Sequence, residues 1–114
     1  MSYYLLLDDI RNLEDVKSYT LLPNVEASKW IIVRSYKEFV DLISLRGVPK
    51  FVCYDHDLAD CDDIKEMTGY DCAKWLVGYC VEKNIKHPPY IVHSMNPIGK
   101  KNIESYIESY NKTL

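Results

Sequence analysis

Apolar residues in this chain gather into four short runs, and each run gives way to ionisable or hydroxyl side chains. Residues 3–7, Tyr-Tyr-Leu-Leu-Leu, stop at Asp8 and Asp9. Residues 30–33, Trp-Ile-Ile-Val, stop at Arg34 and Ser35. Residues 50–54 stop at Asp55, His56 and Asp57, and residues 90–93 run into His93 and Ser94. Short runs that are apolar on both faces predict strands covered on both sides.

Between them the spacing changes to a helical one. Ser35-Tyr-Lys-Glu38 is a capping box, with Tyr36, Phe39, Val40 and Ile43 on one face and Gly47 at the helix end. Thr68-Gly-Tyr-Asp71 opens a second helix whose apolar face is Cys72, Ala73, Leu76, Val77 and Cys80. Pro88-Pro89 forces an extended entry into the fourth strand. Asn96-Pro97 starts a third helix, lined by Ile103, Tyr106, Ile107 and Tyr110. Residues 10–29, broken by Asn12, Pro23 and Asn24, predict a loop with one helical turn near Leu13–Tyr19. Asp57 to Met67 reads as a long polar loop.

Strands alternating with helices predict an α/β fold, a small doubly wound parallel sheet of about four strands in one domain spanning 1–114. The natural spatial order is 2-1-3-4. In such a sheet ligands bind outside the carboxyl ends of the strands, where the polar bursts would meet.

Composition narrows the partners. The chain has 114 residues and a formal net charge of -3, which argues against a broad surface for duplex DNA. The start lacks the basic region of a signal peptide, and no apolar stretch approaches the ~20 residues of a membrane span, so a cytoplasmic protein is expected. Cys53, Cys61, Cys72 and Cys80 lack metal-finger spacing and read as reduced, mostly buried thiols.

The strand ends carry the candidate chemistry. Asp8, Asp9 and Asp55 would repel one another in one crevice without a cation, and hard oxygen ligands suit Mg²⁺ or Mn²⁺. His56 and His93 are candidates for proton transfer, with Asp57 beside the first as a further acid or ligand. Arg34, Arg11, Ser94 and Asn96 are candidate phosphate contacts, two beside helix N-termini. Capping alone also explains Ser35 and Asn96, and an ion pair would explain Arg11. His87, in a loop before two prolines, reads as structural.

An acidic pair after strand one, an aspartate after strand three and a hydroxyl after strand four resemble the receiver domain of two-component signalling. The resemblance matches Asp8 and Asp9 to its metal-binding pair, Asp55 to its phosphoacceptor and Ser94 to its hydroxyl. A full first helix and the fifth strand with its lysine are missing. Leu7–Asn12, Trp30, Arg34–Tyr36, Asp55–Leu58, Thr68–Asp71 and His93–Gly99 are closer to one receiver-derived family, the cyclic-phosphate processing receiver domain. That family occurs in phage and bacterial settings. The resemblance implies a receiver-like fold and action on cyclic phosphates, such as 2′,3′-cyclic RNA ends or cyclic nucleotides. The leading expectation is a metal-dependent phosphoesterase. The alternatives are a degenerate receiver phosphorylated on Asp55 and a nucleotide- or protein-binding module without catalysis.

Overall fold

A computed structural model describes residues 2–58, 60–61 and 66–114. Four parallel strands form the main sheet: β1 (Tyr4–Leu7), β2 (Trp30–Val33), β3 (Phe51–Tyr54) and β6 (Tyr90–Val92), in the order β2-β1-β3-β6. This is the expected 2-1-3-4 arrangement. Helix α1 (Leu13–Lys17) joins β1 to β2, α2 (Tyr36–Arg46) joins β2 to β3, α3 (Gly69–Lys83) precedes β6, and α4 (Pro97–Asn111) follows it.

The chain reverses direction across the sheet at β1. Its first crossover runs from β1 out to β2, and its second returns past β1 to β3. Right-handed crossovers in opposite directions put their connections on opposite faces. The two faces accordingly differ. Leu5, Leu7, Val52, Tyr54 and Val92 pack with Phe39, Ile43, Leu76, Ile103 and Ile107 of α2, α3 and α4. Leu6, Cys53 and Trp30 pack on the other face with Leu13 and Val16 of α1, together with Leu22 and Val25 of the following loop.

The stretch expected to be a loop between residues 10 and 29 holds the five-residue α1 and a single 3₁₀ turn, Ala27–Lys29. Asp15 caps α1 by accepting from the Asn12 amide at 2.9 Å. The second expected loop needs a larger correction. Asp57 to Met67 contains an antiparallel two-stranded ribbon, β4 (Asp60–Cys61) and β5 (Glu66–Met67). Its two-residue strands are too short for an alternating pattern to register. The side chain of Cys61 lies outside the described residues, whereas Cys53, Cys72 and Cys80 are buried thiols.

The expected helix faces are present, with one exception. Ile103 and Ile107 are fully buried, but Tyr106 is exposed and meets Tyr70 of α3 edge-on. His87 is buried in the core. Its Nδ1–H donates to the Pro88 carbonyl at 2.7 Å, and its Nε2 accepts from the Tyr54 hydroxyl at 2.7 Å. Burial lowers its pKa to about 4, so it serves as a neutral packing group. No described helix is long and apolar enough to cross a membrane.

Candidate functional site at the strand ends

The residue after each of three strands is held by its own backbone. The Asp8 amide donates to the Val33 carbonyl, the Asp55 amide to Leu7 and the His93 amide to Tyr54, at 3.1, 3.0 and 2.9 Å. Each bond extends the parallel ladder one residue past a strand end. Three site residues therefore stand side by side on adjacent strands, with sheet rather than loop precision.

Their side chains share a face for a simple reason. Successive side chains alternate along a strand. Asp8 follows the parity of Leu6, Asp55 that of Cys53 and His93 that of Ile91, all of which face α1. One ligand atom from each of Asp8, Asp55 and His93 lies within 4.8 Å of the other two, and all three residues are buried. The position is the crevice beside β1 where the crossovers diverge, the usual ligand site of such sheets.

Asp8 is the most heavily engaged. Its Oδ1 accepts from the amides of Ile10 and Arg11 at 3.0 and 2.8 Å. Its Oδ2 faces His93 Nε2 at 2.9 Å and the Arg11 guanidinium at 3.6 Å. Burial alone would raise its pKa, but the His93 bond and the two backbone donors outweigh that and hold it at about 2. Asp55 goes the other way. Burial, then repulsion from the Asp8 charge, raise it to about 6, with His93 opposing and Asp9 adding to the repulsion. Two carboxylates held apart in pKa by one crevice leave negative charge that a cation would compensate.

His93 belongs to a chain of three. The ionised Asp8 can only accept, so His93 Nε2 carries a proton. His93 Nδ1 lies 3.0 Å from Cys53 Sγ. Burial and the charges of Asp8 and Asp55 keep that thiol protonated, so in the neutral imidazole it donates to Nδ1. Cys53 carries no sequence signal for this role, because a cysteine inside an apolar run reads as packing. With Nε2 committed to Asp8, His93 in this arrangement orients a carboxylate.

The other candidates form a second group on the α4 side. His56 Nδ1 lies 2.8 Å from Asp57 Oδ1, and Asn96 Nδ2 donates to the same oxygen at 3.2 Å. Asn96 Oδ1 caps α4 by accepting from the Gly99 amide at 2.9 Å, so its amide is used at both ends. Ser94 Oγ accepts from the Asn96 amide at 3.1 Å. His56 packs against Gly99, where an added Cβ would lie 2.3 Å from its Cγ. Asp9, expected as a metal ligand, is half-buried and lies outside the tight group of three.

Arg34 is placed differently from a phosphate contact. Its Nη1 donates to the carbonyls of Asp8 and Arg11 at 3.2 and 2.6 Å, and its Nη2 to Asn12 Oδ1 at 2.9 Å. The guanidinium ties the β1–α1 loop to the end of β2 and so fixes Asp8 from behind. Arg34→Ala is expected to lower stability by about 2 kcal/mol, read by urea denaturation, because three charge-assisted bonds are lost. Arg34→Lys should recover only part of it, since an ammonium lacks the planar fork. Wild-type stability in both variants would refute the tie.

The motifs spread along the chain now have positions around one sheet edge. A family model for the cyclic-phosphate processing receiver domain matches residues 3–109. This chain belongs to that family. No curated protein matches it. In this receiver domain the family motifs account for both groups: Leu7–Asn12 carries Asp8 and the loop that Arg34 holds, while Asp55–Leu58 and His93–Gly99 carry the His56, Asp57 and Asn96 cluster. The two glycines of Thr68–Asp71 and His93–Gly99 are contact positions. Gly69 abuts the backbone of Asp55 and His56, and Gly99 abuts the His56 ring.

Proposed function

We propose that this receiver domain is a metal-dependent phosphoesterase that opens a cyclic phosphate, either a 2′,3′-cyclic RNA end or a cyclic nucleotide. The observation that carries the reading is the buried group of Asp8, Asp55 and His93 beside β1, within a family that processes cyclic phosphates. The donor set suits a hard divalent cation, because Asp55 has its charge opposed by burial and by Asp8. Asp8 and Asp55 would hold Mg²⁺ or Mn²⁺, with Asp9 nearby. Such a cation would supply positive charge against the phosphoryl oxygens.

The chain's own residues supply the rest. His93, backed by Cys53, fixes the orientation of Asp8. Arg34 fixes the loop behind it. Asp57 holds His56 with a proton on Nδ1, which leaves Nε2 as the lone pair able to take a proton from water and return it to the leaving ribose oxygen. Arg11, with a partly exposed guanidinium beside Asp8, is the cation best placed to meet phosphoryl oxygens. Ser94 and Asn96 shape the turn that supports His56 and Asp57.

The test is phosphorus NMR of RNA ending in a 2′,3′-cyclic phosphate, and of cyclic nucleotides, with Mg²⁺ or Mn²⁺. Loss of the cyclic-phosphate resonance is expected, with His56→Ala slower by about 100-fold or more and Asp55→Asn inactive. No turnover of any of these with either metal would sink the proposal. Labelling by acetyl phosphate that disappears in Asp55→Ala would favour the phosphoacceptor reading instead.

A further inference from the structure

Tyr19 was not among the residues singled out by the sequence, yet it stands at the rim of the acidic crevice. It lies just beyond α1, and 45% of it remains exposed. Its ring centroid is 6.4 Å from that of the His93 imidazole, at an interplanar angle of 53°. The Arg11 guanidinium lies over the same ring at 5.5 Å. One aromatic ring therefore touches both the residue that orients Asp8 and the cation beside Asp8.

The ring also borders a hollow. Residues 17–24 line a shallow hollow of about 560 Å³, open to solvent, with Tyr19 among them. That size lies within the ordinary range for small-molecule sites. The wall mixes apolar Leu22 and Pro23 with polar Thr20 and Asn24 and the cationic Lys17. A wall of that mixture suits a flat heterocycle with a hydrogen-bonding edge.

We propose that Tyr19 and the hollow formed by residues 17–24 are a nucleobase subsite, so that the ligand of this domain is a nucleotide read at both ends. The inference rests on the phosphate reading of the Asp8 and Asp55 crevice. A phosphate held there would bring the base of the same nucleotide within reach of Tyr19, whose ring lies 6.4 Å from that of His93. An aromatic platform accepts any base by its π-face, so the subsite confers affinity for nucleotides with little sequence preference. Arg11 connects the two ends, with its guanidinium shared between the Tyr19 ring and the crevice.

Calorimetry with two ligands separates this subsite from the phosphate site. The probes are adenosine 2′,3′-cyclic phosphate and the base-free methyl riboside 2,3-cyclic phosphate, each titrated with Mg²⁺ into the whole chain carrying His56→Ala, which slows turnover so that the heat reports binding. The nucleotide should bind about 5- to 150-fold more tightly than its base-free counterpart, as one base–aromatic stack provides. Tyr19→Ala should abolish that advantage, so that the two ligands bind this variant equally, while Tyr19→Phe should keep it. Equal binding of the two ligands by the chain with Tyr19 intact would overturn the subsite and leave the phosphate site standing. So would an advantage that survives Tyr19→Ala. Binding of neither ligand would overturn both.

Discussion

Gly69→Ala is expected to cost about 3 kcal/mol or more and to lower Tm by more than about 10 °C, an unusually large effect for one added methyl. Gly69 is the first residue of α3, and its amide donates to the His56 carbonyl at 2.7 Å. A Cβ there would lie 1.8 Å from the Asp55 carbonyl oxygen, 2.8 Å from its carbon and 2.9 Å from the His56 Cα. All three are backbone atoms, and the Asp55 backbone is bonded to β1, so no side-chain rotation relieves the clash. The helix must lift off the strand end or the strand end must move. Gly99→Ala is the useful contrast. The three atoms nearest its Cβ would all belong to the His56 ring, which a side-chain rotation can move. That variant should unfold near the wild-type temperature while losing the His56–Asp57 pairing, seen as loss of the hydrogen-bonded Nδ1–H signal by NMR. Thermal unfolding of Gly69→Ala at the wild-type temperature would show that α3 does not seat against Asp55.

Asp55→Asn is expected to stabilise the metal-free protein at pH 7.5 by about 1–2 kcal/mol, a figure discounted for screening by nearby solvent. Asp55 has a raised pKa of about 6 against an ordinary value of 3.8, owing first to burial and then to the Asp8 charge. Between those values the folded chain binds more protons than the unfolded one, so the contribution of Asp55 falls as pH rises through the window. Asp8 has the opposite sign. With its pKa lowered to about 2, its contribution is present above its ordinary value and is lost as pH falls toward 2. The gain from Asp55→Asn should therefore be present at pH 7.5 and absent at pH 4, measured by urea denaturation at each. An equal difference at both values would falsify the assignment of the strained charge to Asp55.

Much of the fold was legible because its signals are local. Apolar runs, the Ser35 N-cap, the capping box at Thr68 and the Asn96-Pro97 start placed the strands and the three longer helices, although Glu38 accepts from the Arg34 amide and so does not close the box expected at Ser35. The reversal at β1 followed from the alternation of strands and helices. The strand-end aspartates were legible for the same reason. What could not be read was the partner of each polar group. Arginine before a capped helix looks the same whether its fork meets phosphate or the carbonyls of Asp8 and Arg11. The Cys53–His93–Asp8 chain joins residues 40 and 85 positions apart, and only strand order and side-chain parity bring them together. The β4–β5 ribbon is too short to leave a periodic trace, and Tyr19 lies in a stretch without periodicity. Gly69 and Gly99 are visible as motif letters, but the close approach that demands them is visible only in the fold.

The amide bonds that carry Asp8, Asp55 and His93 past their strand ends have a consequence for how the molecule opens. Segments that are not wired into a sheet can detach in low-cost local excursions, whereas a ladder separates only with the unit it belongs to. The 17–24 curl is of the first kind and the three site residues are of the second. The acidic crevice is therefore as durable as the core itself, while its rim is free to breathe. Under the proposed function, ligand entry would proceed by motion of the rim, with the charges that meet it already in place.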